Sequence, residues 1–252
     1  MTVRSRVAVA GSAVTVCALF AAGCSASASD DKHPDHKSFS LPGKTLTVDS
    51  DNSKLELVPA DVDDVRVTRW FSGSSTLGKR PAPSWKISGD KLTLRMRCSG
   101  IVVNCSARHR IEVPRDVSVK VENDNGKVEA SGFRTALTVD TDNGSVHVSD
   151  VHGTLALHSS NGGLSVKHAS SRRVEASSSN GSIDLDLAVV PDSVVSRSSN
   201  GSTTITVPRS PYHVTTESHT GGVHVDVERD DHSAHRVSAT SHNGGITVRN
   251  PN

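Results

Sequence analysis

The sequence LALHSSNGGLSV, residues 155–166, contains the pattern that decides the fold. Apolar residues occupy alternate positions on both sides of the Asn161-Gly162 pair, from Leu155 to Val166. Alternation with a period of two predicts β-strands with one buried face. Asn-Gly favours tight turns, so the pair indicates a corner between two short strands. This stretch therefore predicts one strand–corner–strand unit.

The same unit recurs through residues 119–252. Successive corners are 18 to 23 residues apart, and Thr220-Gly221 takes the place of one Asn-Gly pair. The remaining corners share the Asn-Gly sequence: Asn125-Gly126, Asn143-Gly144, Asn161-Gly162, Asn180-Gly181, Asn200-Gly201 and Asn243-Gly244. A repeat of about 20 residues is typical of stacked architectures. The segment Asp51-Asn52-Ser53 resembles a degenerate corner of the same type further upstream.

Two all-β architectures fit this repeat, a chain of antiparallel hairpins and a β-solenoid. A meander of hairpins would leave one apolar face uncovered, because the sequence contains no amphipathic helix and only 3% aromatic residues. In a solenoid each coil covers the next, so we favour a β-solenoid of about seven rungs with Asn-Gly corners. Small polar residues two places before the corners would then stack and hydrogen-bond: Asn123, Thr141, Ser159, Ser178, Ser198, Ser218 and Ser241.

The charge and composition argue against nucleic-acid binding. The formal net charge is +1, from 28 basic and 27 acidic residues, so no strong overall field attracts a polyanion. The sequence contains one Tyr, two Trp and four Phe, which leaves few aromatic side chains for base stacking. We therefore expect no nucleic-acid partner, and no motif indicates a cofactor.

Residues 1–23 have the features of a secretory signal peptide. Arg4 and Arg6 precede an apolar run that is shorter than a typical transmembrane span. The Ala-Ala-Gly sequence before Cys24 resembles the lipobox of bacterial lipoproteins. That resemblance implies cleavage before Cys24 and its lipidation with acyl chains such as palmitate. The protein would then be anchored in the cell membrane on its extracytoplasmic face. Ordinary secretion without a lipid is the alternative.

Residues 24–40 are rich in Ser, Asp and His, which predicts a flexible tether. Short alternating strands in residues 41–118 predict an N-terminal β cap region before the repeats. Trp70, Phe71 and Trp85 flank a loop rich in Gly, Ser and Pro in this region. They are expected to cover the open end of the stack, and stacking on a ligand is the alternative.

Cys98 and Cys105 are the cysteines that remain beyond Cys24. In an exported chain, such a closely spaced pair is expected to form a disulfide. The spacing matches neither a Cys-x-x-Cys motif nor a zinc pattern, so we predict a structural role.

The segment Ile111-Glu112-Val113-Pro114, followed by the Asn-Gly series, resembles a family of exported bacterial β-strand-repeat proteins of unknown function. Members of this family are often labelled adhesins, and the resemblance covers about residues 41–252. It implies a β-solenoid domain at the cell envelope. The family supplies no catalytic residues that could be transferred to this sequence.

Two groups of residues could bind a metal ion or take part in catalysis. His219 and His242 each stand one place before a corner, so stacking would bring them together as weak candidates for a metal site. A solvated polar face is the alternative. Asp184 and Asp186, with Glu175 on the preceding strand, provide carboxylates for a polysaccharide-active enzyme.

The sequence favours a non-catalytic binding or scaffold module at the cell envelope, similar to an adhesin. Its expected partners are the membrane, through the lipid anchor, and cell-wall polysaccharide or an envelope protein. The alternatives are a polysaccharide-active β-helical enzyme and an accessory sensor of the state of the envelope.

Overall fold

The computed structural model describes residue 28 and residues 31–77, 81–98 and 101–251. The predicted signal peptide and Cys24 lie outside these residues. The strands in chain order are β1 (Asp35–Phe39), β2 (Thr45–Asn52), β3 (Lys54–Ala60), β4 (Val65–Leu77), β5 (Ala82–Ser88), β6 (Lys91–Arg97), β7 (Ile101–Pro114), β8 (Ser118–Asn125), β9 (Val128–Ser131), β10 (Leu137–Asn143), β11 (Val146–Ser149), β12 (Leu155–Ser159), β13 (Leu164–Ala169), β14 (Arg173–Asn180), β15 (Ile183–Leu187), β16 (Ser193–Asn200), β17 (Thr203–Thr206), β18 (His213–Thr220), β19 (Val223–Asp226), β20 (Arg236–Asn243) and β21 (Ile246–Arg249).

The strands form two sheets. In the described part of the chain, sheet A has the order β1-β4-β7-β3-β9-β11-β13-β15-β17-β21-β19, and sheet B has the order β18-β20-β16-β14-β12-β10-β8-β2-β6-β5. Neighbouring strands are parallel, except that β4 is antiparallel to β1 and β7, and β5 is antiparallel to β6. From β8 to β17 the chain alternates between the sheets, so each coil contributes one strand to each. The all-β prediction is confirmed, with parallel sheets in place of a meander of hairpins.

The core is a continuous row of side chains between the two sheets. Val128, Val146, Leu164 and Ile183 are in register on consecutive strands of sheet A. None of the four is more than 1% exposed. The alternating sequence explains this row, because side chains at every second strand position point to the same face. Each coil thereby buries the apolar side chains of the next.

The coils are not stacked in sequence order at either end. The coil formed by β2 and β3 lies between β6/β7 and β8/β9. At the other end, β20/β21 lies between β16/β17 and β18/β19. The terminal coil is therefore β18/β19, and its inward-pointing Val214 and Val225 are only partly buried. Atypical terminal repeats are expected wherever one side of a coil has no neighbour.

Two expectations about the N-terminal part differ from the structure. Residues 35–39, which we assigned to the flexible tether, form the edge strand β1 through backbone pairing with β4. Residues 41–118 do not form a separate cap, because β2 pairs in register with β8 and β3 pairs with β9. Both sheets run through this boundary without interruption. Only β1, β4 and β5 close the end with antiparallel pairing.

Candidate functional site

The corners are connected by a chain of side-chain amides. Each corner Asn from Asn125 onward donates a hydrogen bond from Nδ2 to Oδ1 of the Asn on the neighbouring coil, at 2.8–3.1 Å. The chain, hereafter the Asn ladder, contains Asn52, Asn125, Asn143, Asn161, Asn180, Asn200 and Asn243. Thr220 pairs in register with Asn243 on the terminal coil, where the ladder ends. Stacked amides of this kind align successive coils.

A column of buried Ser and Thr side chains, here called the buried hydroxyl column, lies directly inside the Asn ladder. It contains Thr141, Ser159, Ser178, Ser198 and Ser241, and the partly buried Ser218 continues it on the terminal coil. Ser159 donates from Oγ to the carbonyl oxygen of Gly144 on the neighbouring coil at 3.2 Å, and Ser178 donates to that of Gly162 at 3.0 Å. Ser218 and Ser241 make equivalent bonds to corner glycine carbonyl groups. These bonds satisfy buried backbone acceptors at the corners, where the strand ladders are interrupted.

The corner glycines are required mainly because adjacent coils approach closely. A Cβ atom on Gly162 would lie 2.6 Å from the carbonyl carbon of Gly144 and would overlap its oxygen atom. Gly181, Gly201 and Gly244 face the same obstruction from the coil before them. Of the corner glycines, only Gly126 and Gly221 have a positive φ, at 116° and 147°. The turn argument made from the sequence therefore applies to few of these corners.

A polar groove crosses the outer face of sheet B toward the terminal coil. It has a volume of about 440 Å³ and spans β12, β14, β16, β20 and β18. In this groove, here called the sheet B groove, His158 Nδ1 lies 2.8 Å from Ser177 Oγ. Arg197 donates to Glu175 at 2.6 Å at its margin. Both side chains of that ion pair are more than half exposed, so the pair contributes little to stability.

His219 and His242 stack in the sheet B groove. Their ring centroids are 4.8 Å apart and their planes differ by 2°. The nitrogen lone pairs of two parallel rings lie in parallel planes and do not converge on one ion. No cluster of three or more His, Cys, Asp or Glu side chains suitable for a metal occurs among the described residues.

The three carboxylates grouped in the sequence do not come together. Asp184 and Asp186 lie on β15 of sheet A. Glu175 lies on β14 of sheet B, where it accepts the hydrogen bond from Arg197. The body of the protein separates the two groups, so they cannot act as a catalytic pair.

Aromatic side chains cover the N-terminal end of the core. Phe39 and Trp85 pack edge to face with centroids 6.2 Å apart, and the Arg69 guanidinium lies 4.1 Å from the Trp85 ring centroid. Burial, together with the charge of Arg69, lowers the pKa of the neighbouring His109 to about 3. Trp85 therefore covers the core end. Trp70, the other tryptophan, lies on the outer surface. The guanidinium group of Arg108 is 4.4 Å from the centroid of the Trp70 ring.

Cys98 directly follows β6, and Cys105 lies within β7. Their sulfur atoms are within disulfide-bonding distance. The pair links the two strands of one coil at the corner nearest the N-terminal end of the stack. It lies away from the sheet B groove, which is formed by later coils.

The fold and its repeated corners define a class of all-β proteins built from stacked parallel coils. The model of the Toastrack DUF4097 family matches residues 117–249, more than half of the chain. The chain belongs to this family, in agreement with the resemblance to β-strand-repeat proteins of unknown function.

The chain is similar to solved structures at low sequence identity. A "putative adhesin" from Bacteroides fragilis is 13% identical with a TM-score of 0.54, and the match covers 88% of this chain and 98% of that chain. A "putative adhesin" from Parabacteroides merdae is 12% identical with a TM-score of 0.45, and the match covers 90% and 99%. A comparison with curated proteins finds no match. Within the described residues, no helix is long and apolar enough to cross a membrane.

Proposed function

We propose that this protein is a non-catalytic binding or scaffold module displayed on the outer side of the cell membrane. In this proposal a β-solenoid of about seven Asn-Gly-cornered coils carries the binding surface, and a lipid on Cys24 attaches the chain to the membrane. The name given to the Bacteroides fragilis protein of similar fold supports an adhesin-like role. The proposal depends above all on the sheet B groove.

The groove presents polar groups at a regular spacing. Ser177, Arg197, Thr240 and Glu217 are in register on four adjacent strands of sheet B. Adjacent strands are about 4.8 Å apart, so hydrogen-bonding groups recur at that interval along the surface. Short hydroxyl side chains lose little conformational entropy when they are ordered. An extended polyhydroxylated polymer such as a cell-wall polysaccharide matches this arrangement.

A pull-down with isolated cell-wall polysaccharide tests the binding surface. The double variant Arg197→Ala/His242→Ala removes two groove side chains and should reduce retention of the protein. The control Thr204→Ala/Thr247→Ala removes outward-facing side chains of sheet A. It should be retained to the same extent as the wild-type protein. Equal retention of both variants would reject the sheet B groove as the binding surface.

The same experiment separates binding from turnover. After incubation, polysaccharide eluted from the protein should have an unchanged length distribution by size-exclusion chromatography. Progressive shortening would instead support the polysaccharide-active enzyme, which remains the alternative function.

Fractionation of cells tests the membrane anchor. Cys24→Ser should release the protein from the membrane fraction into the medium. Cys17→Ser, in the apolar run of the signal sequence, should leave the protein in the membrane fraction. Retention of the Cys24→Ser variant in the membrane would contradict lipid anchoring at this residue.

A further inference from the structure

Basic residues are concentrated in one segment of the chain. Residues 65–114 contain ten Lys and Arg but only two Asp and Glu. Residues 115–252 contain twelve basic and sixteen acidic residues. The basic segment forms β4 to β7, which lie at the N-terminal end of both sheets. Residues 31–64, which form β1 to β3 of the same end, contain four basic and eight acidic residues. Residues 31–114 together therefore have a net charge of +4, and this end of the protein is here called the basic end.

Part of this charge is neutralised by ion pairs. Arg69 pairs with Asp35, and both Arg108 and Arg110 pair with Glu56. In the described ranges, no ion pair involves Arg66, Lys86 or Arg97, and the three residues are exposed. The unpaired charge is therefore on the surface of the basic end.

Two of these free cations lie in a groove on the outer face of β5 and β6. The groove has a volume of about 500 Å³, and its polar side chains are Asp49, Ser84, Lys86, Thr93, Arg95 and Arg97. Asp49 forms ion pairs with Lys91 and Arg95. Burial alone would raise the pKa of Asp49, but the hydrogen bonds and positive charges of Lys91 and Arg95 together outweigh burial, and the pKa of Asp49 lies below its usual value. Lys86 and Arg97 remain available to an anion.

The proposed lipid anchor joins the chain at the same end. Asp31 accepts a hydrogen bond from the backbone N–H of Phe71 on β4 at 3.1 Å, which fixes the start of the described chain to the basic end. Asp31 lies seven positions after Cys24. Even fully extended, a segment of that length spans at most about 25 Å. A lipid on Cys24 would thus hold the basic end close to the membrane surface.

We propose that the groove formed by Ser84, Lys86, Thr93, Arg95 and Arg97 docks on the headgroups of anionic phospholipids. Anionic headgroups attract Lys and Arg within a Debye length of about 8–10 Å, a distance that the short segment after Cys24 permits. Outward-facing Asp124 and Asp142 follow on the same sheet and would be repelled by the same surface. The protein therefore contacts the membrane with its basic end, and the later coils tilt away.

This inference rests on the proposed lipid anchor only because the anchor would bring the basic end to a membrane. Binding to anionic headgroups is therefore measured with protein that carries no lipid. The chain from residue 24 to 252 with Cys24→Ser is sedimented with vesicles of phosphatidylcholine, with or without about one-third phosphatidylglycerol. We expect binding only to the vesicles that contain phosphatidylglycerol. Raising NaCl from about 0.1 M to about 1 M shortens the Debye length from about 10 Å to about 3 Å and should abolish that binding.

A pair of matched variants locates the contact. Lys86→Gln/Arg97→Gln should lower the partition coefficient roughly 25-fold, since each cation near an anionic surface contributes about a factor of five. Arg236→Gln/Arg249→Gln removes two exposed cations near the other end and should bind like the parent chain. Circular dichroism establishes that both variants are folded.

Three results would overturn the inference: equal sedimentation with both vesicle types, equal loss of binding in both variants, or displacement by millimolar glycerol phosphate at constant ionic strength. The last result would indicate a site for a single phosphate group and not a membrane surface. These outcomes are independent of the cell fractionation with Cys24→Ser. Release of the Cys24→Ser variant from cell membranes together with binding to anionic vesicles would support both the anchor and the docking surface. Release without vesicle binding would contradict docking alone, and vesicle binding without release would contradict anchoring alone.

Discussion

Replacement of Gly162 by Ala should destabilise the stack at one defined contact. The new Cβ would lie 2.6 Å from the carbonyl carbon of Gly144 and closer still to its oxygen atom, whereas an ordinary contact between carbon and a carbonyl oxygen is about 3.3–3.6 Å. Adjacent coils would have to separate by about 1 Å at this corner. Overpacking of this kind costs about 1–3 kcal/mol. Weakening of the bond from Ser159 to Gly144 adds about 1 kcal/mol, so we expect a loss of roughly 2–4 kcal/mol.

The neighbouring residue provides the control for this prediction. A Cβ on Gly163 would be 3.5 Å from the nearest atom, the carbonyl oxygen of Ser182, which is an ordinary contact. Gly163→Ala should therefore change the unfolding free energy by no more than about 1 kcal/mol, in the stabilising direction. Urea titrations followed by far-ultraviolet circular dichroism measure both variants. Equal midpoints for the two variants would refute the reasoning that close coil spacing, and not turn chemistry, requires glycine.

Three further substitutions examine other parts of the stack. Leu164→Asp places an unpaired carboxylate at a position 1% exposed and should abolish the cooperative urea transition of the repeats; a folded variant would contradict the assigned row. Asn161→Ala removes two bonds of the Asn ladder and should cost about 1–2 kcal/mol in the same titration, whereas an unchanged midpoint would show that the ladder contributes no stability. The pKa of His109 is lowered to about 3, so the unfolded state binds its proton first as pH falls below about 6.5. Unfolding free energy should therefore decrease by up to about 1.4 kcal/mol per pH unit between pH 6.5 and 3, and His109→Leu should lack this component; identical pH profiles would count against it.

The local pattern of the sequence was sufficient to predict the strands. Alternation identifies the two strands of a unit within about twelve residues, and the Asn-Gly pair predicts a bend between them. The buried hydroxyl column follows from the same register. His219 and His242 could also be placed side by side, since each stands one position before its corner.

The stacking order of the coils could not be predicted in the same way. The stacking order depends on which coil pairs with the exposed edge strands of another coil. No short sequence motif specifies that pairing. A signal for the terminal coil was nevertheless present: Thr220 interrupts the Asn series, and Thr216 occupies an inward position that is alanine in β20. Strand β1 was missed because it is held at the edge by backbone pairing and its sequence has little apolar alternation.

The insertion of β20 and β21 next to β16 and β17 has a consequence for how the protein is completed. Strands β20 and β21 follow β18 and β19 in the chain but occupy an internal position, between strands made earlier. Strands β18 and β19 therefore cannot take their final place until residues 236–249 have arrived. Removal of residues 236–249 would open a gap inside the protein instead of shortening it from one end.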